Sequence, residues 1–532
     1  MLMKLPRLLW ILAALALFGA LIGYFLSTER RSSMFVESGL KEAAVEVSKS
    51  ADSASSEMSG KPMIEDLSYP SGAVEGELIV HFENRSDYLA YLEALADAGS
   101  LPLGQIDALL AVRISEDALF DANLGRYGAR ADFAFRIERP LPPVAIAPKA
   151  LERLTAFGLS AREITGGLVG GSGEGIVVAI LDSGIEAHPQ FDDVSMETLD
   201  LAGIGMRGPG AGHGTSVASI VSGREGIVPE ARLLVVRVLD EAGMGNSYHV
   251  AQGIVEAVDL GAQVINMSLG VYQDTSLLRQ AVSYAHEQGV LMVAPSGNDG
   301  YKRMMYPAAY PQVLSVTAVD ASGQQALFPN QSEAIDFAAP GVGVLTAKED
   351  EGTILFSGTS AAAPFVTGTL ASLMSGDGAL PAKQAVDVLK RYLNDQGALD
   401  ADPVYGAGVV DWDRLSERGT AGLVDVALAD IYLQADALPG TTMPVEVIVQ
   451  NRGTTWLRGS QLEVFVDGAD PLSFTLGSLG PGQTTSRKIF TQVPASGSGK
   501  ALSLAARVTP EKIIDDIRLE NNAKAVSFSP VE

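Results

Sequence analysis

The sequence predicts an α/β domain with a mainly parallel sheet, preceded by a small α+β domain and followed by a β-sandwich. In the middle of the chain apolar strands alternate with helices, which is typical of parallel strands joined by crossover helices. After residue 421 short runs of alternating hydrophobicity, separated by turn clusters, indicate antiparallel strands. Residues 76–140 instead show a single strand, helix, strand, helix, strand series.

The composition excludes several classes of function. The 532 residues carry a formal net charge of −26, so there is no basic surface to neutralise phosphates and we expect no nucleic-acid partner. The chain contains no cysteine, which rules out disulfides, thiolate metal sites and a cysteine nucleophile. Its length predicts three or four domains.

The N-terminus has the pattern of a membrane anchor. Residues 8–26 carry no charge, and their number is about what the bilayer core requires of a helix. Bulky residues fill the C-terminal end of this segment, where a cleaved signal peptide needs small ones. We therefore expect an uncleaved transmembrane signal anchor at 1–31 and a flexible linker at 32–75. The rest of the chain is then predicted to lie outside the inner membrane, in the periplasm or outside the cell.

The small domain at 76–140 is predicted from five successive segments. They are a strand at Glu77–Phe82, a helix at Asp87–Ala98, a strand at Ala108–Ile114, a helix starting at Ser115 and a strand near Phe133–Ile137. The proline-rich stretch that follows, within the linker 141–171, is predicted to be extended because proline disfavours helix at and before its own position.

Ser360 stands at the start of a predicted buried helix. It follows Gly358 and Thr359 and precedes an apolar segment containing Pro364, which fits only in or near the first helical turn. The free amides and the dipole of a helix N-terminus favour negative charge, which suits a nucleophilic hydroxyl whose product is an oxyanion. Taken alone, however, a serine at this position is most often a helix cap.

An acid and a base precede this serine along the chain. Asp182 ends the apolar run 177–181, which indicates a buried strand, and a glycine turn follows it. His213 follows the glycine-rich segment 208–212 and opens another helix of small residues. Taken alone, Asp182 could be a turn aspartate and His213 a surface histidine. The order Asp, His, Ser is nevertheless one of the three in which the same catalytic triad geometry occurs.

Asn298 is a fourth candidate for the site, and it follows a short apolar run at 290–294. The segment 295–300 contains Asn298 between glycines, and by itself this is an ordinary turn after a strand.

The three blocks around the acid, the base and the serine resemble the signature segments of the subtilisin-like serine peptidases, the subtilases. The resemblance covers roughly residues 172–415 and implies a subtilisin-like layered core at 172–418. It also implies an endopeptidase that hydrolyses polypeptide substrates through an acyl-enzyme intermediate.

The resemblance assigns roles to individual residues. Ser360 would be the nucleophile, His213 the general base and then acid, and Asp182 the group that orients the imidazole. The side chain of Asn298 and the backbone N–H of Ser360 would form the oxyanion hole. Further matching segments would bind substrate: Ser268, Leu269 and Gly270 as one edge and pocket side, Gly243, Met244 and Gly245 as a second edge, and Ala294, Pro295 and Ser296 as a pocket wall. The first of these segments could also be a plain strand end.

The domain at 76–140 is similar in size, place and topology to the propeptides of subtilases, which act as folding chaperones and inhibitors. Residues 76–140 would then be the enzyme's own propeptide and a partner of its active site. Self-processing would cut the chain between 138 and 172. The alternative is that 76–140 is a separate binding module.

The sequence departs from the family pattern at three positions near these blocks. Ser216 and Phe365 stand where histidine is frequent, and Ala361 stands where methionine is usual; none of the three removes a catalytic group. The loop 223–231 lacks the insertion that carries the family's strong calcium site. We therefore predict no metal site and no required cofactor, although calcium could bind elsewhere on so acidic a chain.

Residues 421–528 resemble the CARDB type of immunoglobulin-like adhesion module. The resemblance rests on the segments 451–453, 479–482 and 520–522. Such a module could position substrate, bind a surface or stabilise the enzyme. The alternative function for the whole chain is a catalytically silent subtilase scaffold that acts as a surface-binding protein. A lipase or esterase is disfavoured because Ser360 lacks a glycine-flanked elbow.

Overall fold

A computed structural model describes residues 69–119, 124–140, 154–167, 169–326, 328–348, 351–433, 437–495, 500–510 and 516–529. The predicted anchor at 1–31 and most of the predicted linker at 32–75 lie outside these residues. In the part of the chain that is described, no helix combines the length and the apolar composition needed to cross a membrane. The chain divides into two units between Ser68 and Tyr69, and every element below belongs to the second.

The N-terminal domain is an antiparallel sheet covered by one long helix. Its elements are β1 (Ala73–His81), α1 (Arg85–Asp97), β2 (Gly104–Ile106), β3 (Ala111–Ser115), α2 (Glu116–Leu119) and β4 (Arg130–Glu138), with strand order β2-β3-β1-β4. Helix α1 starts at the cap Asn84, whose side chain accepts a bond from the N–H of Asp87. It buries Tyr88, Tyr91 and Leu95 against the sheet.

Two sequence expectations differ from the observed domain. The predicted strand Ala108–Ile114 begins only at Ala111, because Asp107–Leu109 forms a 3-10 turn and Leu110 takes a left-handed φ of 48°. This turn closes the β2-β3 hairpin. The predicted linker at 32–75 runs into ordered structure, since β1 starts at Ala73 and the hydroxyl of Tyr69 donates to Glu116 at 2.6 Å.

The central domain has a nine-stranded sheet with helices on both faces. Its elements are α3 (Ala161–Ile164), β5 (Val177–Asp182), β6 (Met196–Asp200), α4 (Gly212–Val221), β7 (Arg232–Arg237), β8 (Met244–Asn246), α5 (Ser247–Asp259), β9 (Val264–Asn266), α6 (Ser276–Glu287), β10 (Leu291–Pro295), β11 (Leu314–Val319), β12 (Phe337–Pro340), β13 (Val344–Ala347), β14 (Thr353–Phe356), α7 (Thr359–Leu373), α8 (Ala382–Arg391), β15 (Leu393–Asn394), β16 (Val409–Val410) and α9 (Trp412–Glu417).

The order of strands places three chain segments side by side. The sheet runs β15-β16-β12-β11-β10-β9-β5-β7-β6 and is parallel except for β15. Strands β5, β9 and β10 are therefore neighbours near its middle, and their carboxyl ends meet at one edge of the sheet. Helix α7 is buried over all 15 of its residues, as its apolar sequence predicts. The predicted α/β layered core is confirmed.

The C-terminal domain is the expected β-sandwich. Its strands are β17 (Val426–Leu433), β18 (Thr442–Asn451), β19 (Ser460–Val466), β20 (Leu472–Leu476), β21 (Thr484–Gln492), β22 (Leu502–Pro510) and β23 (Ala523–Phe528). They form two antiparallel sheets, β17-β18-β21 and β20-β19-β22-β23, whose inner faces enclose one apolar core. Alternate residues of each strand supply this core.

A buried arginine joins the sandwich to the central domain. Arg414 of α9 is 2% exposed. It donates to the carbonyl of Leu393 at 2.5 Å and, on the sandwich side, to the carbonyl of Arg452 at 3.1 Å. The side chain of Gln450 in β18 donates to the same Leu393 carbonyl at 3.0 Å. The sandwich is thus fixed at the β15-β16 edge of the sheet.

Replacement of Leu462 by alanine tests the assignment of the sandwich core. Leu462 is fully buried in β19, so its truncation is expected to lower the free energy of unfolding by roughly 2–5 kcal/mol. Leu472 in the adjacent strand β20 is 47% exposed, and Leu472→Ala should change stability by less than about 0.5 kcal/mol. Thermal unfolding by calorimetry would measure both, and equal effects would contradict the assignment.

Candidate active site

A carboxylate and an imidazole meet at the end of β5. Asp182 is the last residue of that strand and is fully buried. His213, the second residue of α4, places its Nδ1 2.8 Å from Asp182 Oδ1 and 3.0 Å from Oδ2. The carboxylate also accepts the N–H of Ser183 at 2.7 Å. The contact between His213 Nδ1 and the carboxylate fixes the imidazole orientation, because a proton on Nδ1 can be donated only to the carboxylate.

A glycine beside the histidine lets α4 approach β5 closely. A β-carbon on Gly214 would lie 2.2 Å from the carbonyl oxygen of Gly184 and 3.3 Å from Asp182 Oδ1. Any larger residue would push the helix away from the strand. The ring of Phe356, at the end of β14, lies edge-on to His213 with the centroids 5.3 Å apart.

Arg237 holds the loop that leads to His213. This residue ends β7 next to Asp182 in the sheet and is 1% exposed. Its guanidinium donates to three carbonyl oxygens, those of Leu239 at 3.1 Å, Gly205 at 2.8 Å and Pro209 at 3.2 Å. The last two belong to the glycine-rich loop before α4. The arginine therefore replaces regular secondary structure as the support of this loop.

Ser360 is the second residue of α7, at the helix start that the sequence predicts. The preceding Gly358 has a φ of 137°, a conformation that favours glycine. Ser360 is 2% exposed, and its Oγ has no hydrogen-bond partner among the described residues. Helix α7, which carries Ser360, packs against α4, which carries His213.

A chain of buried polar side chains supports the backbone of this serine. The hydroxyl of Thr367 donates to Asn266 Oδ1 at 2.9 Å, and Asn266 Nδ2 donates to Ser268 Oγ at 3.0 Å. Ser268 Oγ in turn donates to the carbonyl of Ser360 at 3.2 Å. All of these residues are buried. The network links the end of β9 to the first turns of α7.

Asn298 lies against the N-terminus of α7 and is 1% exposed. Its Oδ1 accepts the backbone N–H of Thr359 at 3.0 Å and the hydroxyl of Thr359 at 2.8 Å. Both partners are donors, so the oxygen of the amide must face Thr359. The Nδ2 group is then on the side of Gly358, where a β-carbon would lie 3.1 Å from it.

The two predicted substrate edges hold a segment of the N-terminal domain. Strand β4 pairs antiparallel with β8, with Ile137 opposite Gly245 and Glu138 opposite Met244. On its other side Glu138 exchanges two backbone hydrogen bonds with Gly270, at 3.1 and 2.8 Å. The N–H of Arg139 then donates to the carbonyl of Gly243 at 3.1 Å. The predicted edges therefore flank one extended chain.

The predicted pocket wall forms the end of β10. Ala294 and Pro295 are the last residues of that strand, next to β9, and the N–H of Ser296 donates to Val316 of β11 at 2.9 Å. Leu269, in the segment that follows β9, is also buried. The segments 268–270 and 294–296 thus emerge from neighbouring parallel strands.

Two histidines lie where the N-terminal domain contacts α5 and α6. His249 Nε2 is 3.0 Å from Arg113 Nη1 of β3, and burial, followed by this arginine, lowers the pKa of His249 to about 4. His81 of β1 lies 3.3 Å from the hydroxyl of Ser276 in α6, and burial lowers its pKa as well. Both pKa shifts favour neutral imidazoles while the N-terminal domain contacts α5 and α6.

Sequence reasoning missed Arg237, Thr359, Thr367 and Asn266. For Asn266 a signal was present, because a polar residue interrupts the apolar strand β9. An arginine at the end of an apolar strand was a similar signal for Arg237. At the departures from the family pattern, Ser216 donates to the carbonyl of Ala347 at 3.0 Å, and Phe365 packs on Trp412.

Comparison with known proteins identifies two families along the chain. Residues 173–408 match the Subtilase family (peptidase S8), and residues 424–526 match CARDB. Subtilisin Savinase of Lederbergia lenta is 34% identical over 246 residues, which cover 45% of this chain and 90% of that protein. The minor extracellular protease Epr of Bacillus subtilis is 34% identical over 250 residues, but these span only 38% of its length and 45% of this chain.

Solved structures of two proteases are also similar to part of the chain. The prenylagaramide maturation protease PagA is 29% identical, with a TM-score of 0.42 and coverage of 48% of this chain and 97% of that one. A serine-to-alanine mutant of the PatA protease domain is 33% identical, with a TM-score of 0.43 and coverage of 47% and 95%.

Arg237→Met is expected to loosen the loop before α4. The change leaves three carbonyl oxygens without their donor. Loss of the donor costs about 1–3 kcal/mol at the buried Leu239 carbonyl and less at Gly205 and Pro209, which are exposed residues. Amide hydrogen exchange at 203–210 should therefore accelerate by at least about tenfold. Arg232→Met, in the same strand but 40% exposed, is the matched control. Unchanged exchange in the Arg237 variant would refute the proposed support.

Proposed function

Because the chain belongs to the subtilase family of serine endopeptidases, we propose that Asp182, His213 and Ser360 are its catalytic triad and that it cleaves polypeptides through an acyl-enzyme. The observation that carries this proposal is the 2.8 Å contact between His213 Nδ1 and Asp182 Oδ1 in a buried site. Helix α4, which carries His213, packs against α7, and Ser360 near the start of α7 has a buried hydroxyl.

The geometry suggests the following sequence of proton transfers. Asp182 keeps a proton on His213 Nδ1, so Nε2 is the basic nitrogen that accepts the proton of Ser360 Oγ. The oxygen attacks the peptide carbonyl, and the resulting imidazolium then gives its proton to the leaving amine. Water, activated in the same way, attacks the acyl-enzyme and releases the second product. No cofactor is needed, because these side chains supply every proton transfer.

We assign the oxyanion hole to Asn298 Nδ2 and the backbone N–H of Ser360. The two bonds from Thr359 orient the amide of Asn298 before substrate binds, which is the condition for effective electrostatic stabilisation of a transition state. The first N–H groups of α7 add the favourable field of a helix N-terminus. Thr359 is then a positioning residue that acts through Asn298.

We propose that residues 76–140 are a propeptide that inhibits the enzyme and is cut by it. Support comes from the hydrogen bonds of β4, which occupies both substrate edges as an added strand. If the register of Glu138 with Gly270 continues, Pro140 lies opposite Ser268, whose Oγ bonds to Ser360. On this proposal the chain would enter the cleavage window 138–172 next to the nucleophile. A separate binding module would have no reason to occupy these edges.

The remaining parts of the chain extend this proposal. We propose that the segment 1–31 anchors the enzyme and that its catalytic domain works outside the inner membrane. The CARDB domain is fixed through Arg414 at the β15-β16 edge, and in the sheet order the strands β12, β11 and β10 separate β16 from β9 and its substrate edge. This position favours a role in binding a surface or in stabilising the enzyme over direct contact with the scissile bond.

The proposed nucleophile and propeptide are tested together by intact mass. The full chain is expressed as wild type and as Ser360→Ala, which removes the nucleophilic oxygen and changes little else in a helix of small residues. Only the wild type is expected to yield two pieces separated between 138 and 172. Two intact chains would contradict self-processing, and two cleaved chains would exclude Ser360 as the nucleophile. A catalytically silent scaffold predicts the first of these outcomes.

Docking of the propeptide is expected to weaken as the pH falls from 6.5 to about 4. His249 has an ordinary pKa of 6.5 but one of about 4 when the domain is docked. Below 6.5 the undocked form binds a proton that the docked form does not, so the docking constant falls by at most about tenfold per pH unit. Above 6.5 both forms are neutral and His249 adds no pH dependence.

Amide exchange of β4 in the full-length Ser360→Ala chain measures this docking, after correction for the intrinsic effect of pH. Protection of residues 130–138 should fall between pH 6.5 and 4. His249→Asn is the matched control, because it removes the titrating group at the contact with Arg113. An identical pH dependence in the control would contradict the role of His249.

A further inference from the structure

We call the space between the two segments assigned to the first specificity pocket the slot. One side is formed by 268–271 after β9, and the other by 294–297 at the end of β10. The segment 305–306 bridges the two sides. The N–H of Met305 donates to Ser296 at 3.3 Å, whereas Tyr306 exchanges two backbone bonds with Val271, at 2.7 and 2.9 Å.

The side chain of Met305 extends across this slot. A β-carbon built on Gly270 would lie 2.8 Å from Met305 Cβ and 3.3 Å from its Cε. A β-carbon built on Gly297, on the opposite side, would lie 3.1 Å from its Sδ. Met305 is 2% exposed. One thioether side chain therefore contacts both glycine walls and occupies the space between them.

We propose that Met305 fills the first specificity pocket and restricts the enzyme to substrates with a small side chain before the scissile bond. This inference rests on the proposed function, because it takes 268–270 and 294–296 as the pocket walls. The thioether leaves no depth for an aromatic or long aliphatic side chain. Protein interiors are close-packed, so a larger group can enter only if the methionine leaves its place.

The segment docked in the site agrees with this restriction. Continuation of the β4 register places Pro140 opposite Ser268, at the mouth of the slot. Pro140 is buried, and its side chain is a compact ring that does not extend beyond Cγ and Cδ. The chain thus presents a short side chain to its own pocket. Proline also has no N–H, so the docked strand lacks the hydrogen bond that another residue at this position would donate to the carbonyl of Ser268.

Hydrolysis of matched peptides by the full chain, after self-processing, tests the inference. The peptides differ only in the residue before the scissile bond, which is alanine, leucine or phenylalanine. We expect the wild type to prefer alanine to phenylalanine in kcat/KM by at least about tenfold, since one methylene too many changes this ratio by roughly 10–200-fold. Met305→Ala opens the slot and should raise kcat/KM for phenylalanine by a similar factor.

Met305→Leu is the matched control, because leucine keeps the slot filled and should keep the wild-type order of substrates. Equal cleavage after alanine and phenylalanine by the wild type would overturn the inference, even if Met305→Ala failed to fold. So would an unchanged ratio in an active Met305→Ala variant. Failure of the wild type to cleave any of the peptides would instead overturn the proposed function, and with it this specificity.

Discussion

The burial of the N-terminus of α7 is the constraint on which the rest of the structure depends. The first backbone N–H groups of a helix have no partner within the helix, and buried polar groups must be satisfied. Asn298 accepts the N–H of Thr359, and Ser268 donates to the carbonyl of Ser360. Asn298, after β10, thus satisfies the first N–H of α7, and Ser268, after β9, adds a hydrogen bond to a carbonyl of its first turn. The same contacts give the serine one fixed position at the carboxyl edge of the sheet.

The opposite side of the site is supported in a different way. His213 follows a loop without regular structure, and this loop is tied to Arg237 through its carbonyl groups. A buried guanidinium can satisfy several carbonyls at once because its donors form a rigid fork. The acid, the base and the serine therefore come from three separate segments, each with its own polar support. Strand β4 and Arg139 after it complete the arrangement through backbone hydrogen bonds to Gly270 and Gly243.

The sequence was sufficient for features that depend on local patterns. The apolar run 177–181, the glycines before His213 and the small residues after Ser360 predicted a strand that ends at Asp182 and two helices that begin within one residue of the observed starts. Contacts between distant segments could not be predicted in this way. Pairing of β4 with β8 uses backbone groups alone and has no side-chain pattern, and Met305 lies in a segment without periodicity. The hairpin turn at 107–109 was misassigned because its apolar residues continue the pattern of β3.

The central claim is that the amide of Asn298, oriented by Thr359, stabilises the oxyanion formed when Ser360 attacks. The most direct measurement is the rate of self-cleavage of the full chain with Asn298→Ala and with Asn298→Asp. The aspartate retains an oxygen for both bonds from Thr359 but lacks the donor. Both variants should be slower by roughly 10²–10³-fold, a size taken from the corresponding donor of a subtilisin rather than calculated for this chain. Cleavage at the wild-type rate by either variant would contradict the claim.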